Sequence, residues 1–106
     1  MILEHASLRI AAGHEEGFEK AFDEARRVVA QADGFLGLEL WRGVEEPSTY
    51  RLLIRWDSVE SHTEGFRGSP LYERWSELLR PHFSAPPEVA HATPVVVDTS
   101  DERSTT

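Results

Sequence analysis

The sequence predicts a small α+β domain in which helices cover one face of a four-stranded antiparallel sheet. The length of 106 residues suits one domain. Four segments alternate apolar and polar residues as strands do, and the segments between them carry apolar residues at helical spacing. Because a domain of this size buries only about 60–65% of the surface of its unfolded chain, a partner that covers apolar area would add stability.

The first strand is predicted from Ile2 to Ile10, and its pattern has one exception. Glu4 falls on the apolar face of this strand, where a carboxylate is unusual. An amphipathic helix is predicted to follow from about Glu15 to Asp33, with acidic residues in its first turn, which the helix dipole favours. Gly34 is a good residue for the position just beyond its end.

A hairpin and a helical segment occupy the middle of the chain. Phe35–Arg42 and Thr49–Trp56 read as strands, and the residues between them have turn chemistry. Asp57 or Ser58 can cap the helical segment that follows. The apolar or small residues of that segment fall on one stripe with a histidine: Val59, His62, Thr63 and Phe66.

A second helix is predicted to end near Pro81, and a last strand from Glu88 to Val97. Pro94 lacks an N–H and therefore indicates a sheet edge or a strand end. The order βαββαβ predicts a ferredoxin-like fold with sheet order 4-1-3-2 and both helical layers on one face. The uncovered face favours a twofold copy of the chain, as in a dimeric α/β barrel. We expect a domain at 1–97 and a polar, flexible tail at 98–106.

Composition excludes several classes of function. The net charge is −8 and the basic residues are not clustered, so neither nucleic acid nor an anionic membrane surface is an expected partner. The absence of cysteine excludes disulfides, thiolate catalysis and cysteine-ligated metals. No segment approaches the roughly 18 apolar residues of a membrane span, and we expect a cytoplasmic location. Motifs for nucleotide cofactors, zinc hydrolysis or a serine nucleophile are missing, so no cofactor and no metal are predicted.

Several segments match a known pattern of residues. Its general part comprises Gly34-Phe35, the hairpin with Pro47 and Tyr50, and Trp56-Asp57-Ser58. Its specific part is the run His62-Thr63-Glu64-Gly65-Phe66-Arg67-Gly68-Ser69-Pro70, followed by Tyr72, Trp75, Pro86-Pro87 and His91. From about Met1 to Val95 the chain thereby resembles the antibiotic biosynthesis monooxygenase (ABM) family, and the specific run resembles one branch of it.

The resemblance implies a homodimer with a pocket between sheet and helices in each subunit. ABM proteins include cofactor-independent oxygenases that turn phenolic or anthrone-like substrates into quinones, and haem-degrading enzymes. Both kinds use an Asn, and this sequence has none. In a gapless comparison, Gly65 and Trp75 stand where the haem-degrading branch keeps a Trp and its His ligand, and Ala6 falls near its Asn. Haem degradation by that mechanism is therefore not expected.

His62 and Arg67 are the candidate catalytic residues. The helical stripe directs His62 inward, where burial and neighbouring charges can adjust its pKa for a role as proton acceptor. A buried histidine with a structural hydrogen bond is the alternative. Arg67 could stabilise an enolate or phenolate at the pocket mouth, or instead form a structural salt bridge.

The predicted substrate-binding residues come from three parts of the chain. Glu4 and His91 lie on neighbouring strands and could form a carboxylate–imidazole pair, a plain hydrogen bond across the sheet or part of a metal site. Aromatic residues could wall the pocket, although aromatic residues at such spacing also build ordinary cores. They are Trp56, Phe66, Tyr72 and Trp75, with Phe83.

Three functions follow from these residues and from the resemblance. The first is a cofactor-independent monooxygenase acting on a small aromatic or enolisable substrate, with His62 as base and Arg67 as anion stabiliser. The second is a non-catalytic, or differently catalytic, dimeric α/β-barrel protein that binds a hydrophobic small molecule. Haem binding through a histidine is the third. A fold alone does not decide between them.

Overall fold

The computed structural model describes residues 1–99 as one antiparallel sheet covered on one face by helices. The strand order is β2-β3-β1-β4, which confirms the ferredoxin-like order expected from the sequence. The elements in chain order are β1 (Ile2–Arg9), α1 (Glu15–Val29), β2 (Phe35–Arg42), β3 (Thr49–Trp56), a π-helical turn (Ser61–Phe66), α2 (Pro70–Leu79), a 3₁₀ turn (Arg80–His82) and β4 (Glu88–Ala92).

The first helix ends four residues earlier than predicted. Its buried residues recur at helical spacing and pack on the sheet, as the sequence indicates. Beyond Val29 the chain tightens, because the N–H groups of Gln31 and Ala32 donate to carbonyls three residues back, at 3.1 and 3.0 Å. Gly34 then turns the chain into β2 with φ +85°.

The predicted helical segment after β3 is wound as a π-helical turn. Before the turn, Ser58 accepts a hydrogen bond from the N–H of Ser61, the first residue of the turn, at 3.2 Å. At its end the N–H of Arg67 donates to the carbonyl of His62, five residues back, at 3.1 Å. In an α-helix, residues five apart point about 140° away from each other. The wider turn brings His62 and Arg67 to one cavity.

The last strand is shorter than predicted. It ends at Ala92 instead of Val97, two residues before Pro94, whose missing N–H cannot extend a ladder. As the proline suggested, β4 is an edge strand, and in the part of the chain that the structure describes it pairs only with β1. Of the predicted tail at 98–106, residues 100–106 lie outside the described residues.

The core lies between the sheet and α1, and within residues 1–99 no element covers the other sheet face. Trp56, Tyr50 and Phe18 are fully buried on the helix side. On the opposite face Trp41 is 60% exposed. Within residues 1–99, no helix combines the length and apolar character needed to cross a membrane. The cytoplasmic location stays a prediction.

Candidate functional site

A cavity of about 490 Å³ lies between the sheet and α2. Alternate residues of β1 form its floor, because every second side chain of a strand faces the same side. Most of the lining is apolar, which is typical of sites for small organic molecules. The lining residues that later arguments use are Glu4, Leu8, His62, Arg67, Tyr72, Trp75, Ser76, Arg80 and Phe83.

Glu4 is a buried carboxylate on this floor. Only 6% of the residue is exposed, as expected from its place on the apolar face of β1. The indole Nε1–H of Trp56 donates to its Oε1 at 2.9 Å, and Nε2 of His62 lies 3.3 Å from the same oxygen. Burial raises the pKa of Glu4 above its ordinary value, although the bond from Trp56 and the charge of Arg67 oppose this shift.

His62 connects Glu4 to the last strand. Its Nδ1 lies 2.8 Å from Nε2 of His91, and its ring stacks on Trp56 with centroids 5.5 Å apart. Glu4 and His91 are direct partners in the β1–β4 register. Within residues 1–99, however, Glu4 pairs with the imidazole of His62, which in turn contacts His91. The sequence hypothesis of a direct Glu4–His91 pair identified the correct strands and missed the residue between them.

Both ring nitrogens of His62 therefore face a partner. Burial, then the charges of Arg67 and His91, lower the pKa of His62 to about 4, so the imidazole is neutral at pH 7. A neutral ring can donate from Nε2 toward Glu4 and accept at Nδ1 from His91. We call these three side chains, Glu4, His62 and His91, the buried relay.

Comparison with known proteins shows the family to which the chain belongs. The family model for antibiotic biosynthesis monooxygenases matches residues 1–78. The chain belongs to the ABM family. The uncharacterized protein YczJ of Bacillus subtilis (strain 168) is 40% identical over 91 residues, which make up 86% of this chain and 96% of that protein.

Two solved structures show how far the ABM likeness extends. A putative antibiotic biosynthesis monooxygenase from Bordetella bronchiseptica is 35% identical, with a TM-score of 0.87, and the match covers 90% of this chain and 97% of that one. A mutant of SnoaB, a cofactor-independent oxygenase from Streptomyces nogalater, has a TM-score of 0.77 at 17% identity, over 91% and 94% of the two chains. At that identity the second match shows the shared fold alone.

The aromatic residues expected around the ABM cavity divide into two groups. Tyr72 and Trp75 line it. Trp56 and Phe66 are buried and do not line it: they pack behind His62 and Tyr72 with ring centroids 5.5 Å apart in each pair. His91 does not line the cavity either and reaches it through the buried relay. These three therefore contact residues that line the cavity and do not line it themselves.

Arg67 and Arg80 are the cationic lining residues. Arg67 is exposed, and its charge acts on both Glu4 and His62. Arg80 was not identified from the sequence. The signal was present, because Tyr72, Ser76 and Arg80 recur every four residues, which places them on one side of a helix. Within residues 1–99, no group of three or more His, Asp or Glu side chains is arranged to hold a metal ion.

The neutral state of His62 predicts how stability depends on pH. Its pKa falls from 6.5 when unfolded to about 4 when folded, so its contribution is complete above pH 6.5 and is lost as pH falls toward 4. The raised pKa of Glu4 has the opposite effect on stability, because it increases the free energy of unfolding as pH falls. We expect the free energy of unfolding of the wild type to fall more than that of His62→Gln between about pH 7 and about pH 4.5, by urea denaturation.

The control is His14→Gln, which removes an exposed histidine at the start of α1, outside the cavity lining, and its free energy of unfolding should fall more than that of His62→Gln. The opposite result, in which acidification favours the wild type over His62→Gln, would show a charged imidazole paired with an ionised Glu4.

Proposed function

We propose that this ABM protein is a cofactor-independent monooxygenase acting on a small aromatic, enolisable substrate. The observation that carries the proposal is the buried Glu4–His62 pair at an apolar cavity, with Arg67 beside it. Titratable groups with shifted pKa values in such a cavity are typical of sites that transfer protons. Membership of the ABM family supports the oxygenase activity.

The proposed chemistry needs a base, an anion stabiliser and a dry enclosure. Glu4 accepts a proton from the activated CH₂ group of the substrate, because both nitrogens of His62 already face partners. Arg67 stabilises the resulting enolate or phenolate. The carbanion then reduces O₂: the CH₂ group and O₂ become C=O and H₂O, so one oxygen atom enters the product and the other leaves as water.

In this proposal His62 positions the carboxylate of Glu4 and shares with it the proton that is taken from the substrate. It holds Oε1 of the Glu4 carboxylate through Nε2 and connects it to His91, which is only half-buried. A proton can therefore move between the cavity and the protein surface through the buried relay. Trp56 keeps Oε1 of Glu4 in place through its indole N–H.

Oxygen uptake tests the function. Protein treated with a chelator, without added metal, flavin or haem, should accelerate oxygen uptake by at least one of a set of anthrones and related aromatic ketones that carry an activated CH₂ group. We expect at least a tenfold rate over heat-denatured protein, with the ketone or quinone as product. Ligands that bind the cavity without oxygen uptake above the protein-free rate would contradict the proposal.

The second candidate is binding of a hydrophobic small molecule without oxygenation. The complete absence of asparagine favours it, since the ABM oxygenases that the sequence resembles use that residue in catalysis. The test above separates the two candidates. In either case we propose that the chain acts as a homodimer through its uncovered sheet face, where Trp41 is 60% exposed.

A further inference from the structure

The charged residues that line the cavity are not balanced. Within residues 1–99, its lining contains one carboxylate, Glu4, and two arginines, Arg67 and Arg80. Neither arginine forms a salt bridge there, and neither does Arg51 on β3, whereas six others do: Arg9, Arg26, Arg27, Arg42, Arg55 and Arg74. In a chain with a net charge of −8, two such cations at one cavity are a local excess of positive charge.

The backbones of the two arginines lie at opposite ends of the cavity. Arg67 follows the π-helical turn beside Glu4. Arg80 follows α2, near Phe83, whose backbone forms a bridge with Ile10 beyond the far end of β1. On the floor, Glu4 and Leu8 mark the two ends, and four strand residues span about 13 Å. Apolar side chains line the space between them.

This arrangement fits a ligand that is anionic at one end. We propose that the substrates of this cavity carry a carboxylate or comparable acid, which Arg80 binds at the end away from Glu4. A guanidinium is well suited to this role, because it can donate two parallel hydrogen bonds to a carboxylate. The aromatic body then lies along the apolar floor and its reacting carbon reaches Glu4. This substrate class rests on the proposed function of the same cavity.

A structural role is the competing explanation for Arg80. A cation suits the C-terminal end of α2, where the helix dipole is negative. Glu73 and Glu77 border the groove on the outer side of Arg80, although neither forms a salt bridge with it within the described residues. A structural role predicts lower stability in a variant of Arg80 and no change in ligand preference.

Two ligands of the same shape test the proposal. Anthraquinone-2-carboxylate and anthraquinone-2-carboxamide differ in charge, and neither has a CH₂ group left to oxidise. Their binding can be followed by calorimetry and by quenching of tryptophan fluorescence, since Trp75 lines the cavity. We expect the carboxylate to bind the wild type about tenfold more tightly at low salt, and less so at high salt.

The variants assign this preference to a residue. Arg80→Gln should reduce the ratio of the two affinities to about one, and Arg80→Lys should keep part of it because the charge remains. The matched control Lys20→Gln, which removes an exposed charge from α1, should keep the full ratio. Melting temperatures of all three variants measure the structural role separately.

Equal affinities in the wild type, no binding of either ligand, or a full ratio in Arg80→Gln would each overturn the proposal. Loss of the ratio in Arg67→Gln instead of Arg80→Gln would overturn the assignment to Arg80. Because these quinones are not oxygenated, the result does not depend on oxygen uptake. A protein that prefers the carboxylate through Arg80 but oxygenates nothing would refute the proposed function and leave only the anionic ligand class of the cavity intact.

Discussion

Glu4→Gln is expected to slow oxygen uptake by about 10²–10⁴-fold, the usual contribution of a positioned acid–base group. Glutamine keeps the shape of the side chain and can still accept the hydrogen bond from Trp56, but it cannot take a proton from the substrate. The loss should appear in kcat, whereas binding of an unreactive quinone should change little. Initial rates across a series of substrate concentrations separate the two effects.

His62→Gln supplies the comparison, because the two residues act as a unit. Its rate should fall as well, and the double variant Glu4→Gln/His62→Gln should be little slower than Glu4→Gln alone. The matched control His14→Gln should keep the rate of the wild type. If Glu4→Gln retained that rate while His62→Gln lost it, then His62 would itself take the proton and our assignment of the base would be wrong.

Gly34→Ala is expected to destabilise the protein by roughly 2–5 kcal/mol, from a left-handed backbone and a steric clash together. Gly34 has φ +85°, and a Cβ atom there would lie 2.4 Å from Ser61 Oγ and 2.7 Å from Ser61 Cβ. The oxygen of Asp57 is equally close, but Asp57 is exposed and can move. Ser61 cannot yield as easily, because it begins the π-helical turn that carries His62.

Gly13→Ala separates the two causes. Gly13 has nearly the same backbone angle, φ +86°, and a Cβ atom there would meet nothing within 4 Å. Gly13→Ala should therefore lower the free energy of unfolding only through its left-handed backbone, by about 1–2 kcal/mol. Urea denaturation of both variants measures the difference. Equal losses would show that the contact with Ser61 relaxes freely and that the turn is not held against Gly34.

Much of the fold and part of the site follow from local pattern. Strand periodicity places Glu4 on the apolar face of β1, and the structure buries it there. Helical spacing directs His62 inward, and the structure buries that residue too. Both predictions succeed because the face on which a side chain lies follows from the regular geometry of its own strand or helix. That geometry repeats every two residues in a strand and about every four in a helix.

The partners of these residues were decided by tertiary structure. The order of the elements identified β1 and β4 as neighbours, but only their register and the position of the π-helical turn place His62 between Glu4 and His91. The wider winding of that turn also brings Arg67 to the cavity, whereas the predicted α-helical spacing would direct it away from His62.

The cavity itself depends on contacts between segments far apart in the sequence. Arg80 reaches it because α2 lies across the sheet and the chain after it bonds to the end of β1, where the N–H of Ser84 donates to the carbonyl of Arg9 at 2.9 Å.

The ends of α1 and β4 were misjudged for a related reason. Backbone hydrogen bonds decide where an element stops, and side-chain periodicity continues beyond that point. The sequence by itself thus determined which faces are apolar and which polar residues lie among them, while packing between distant segments decided which of those residues meet.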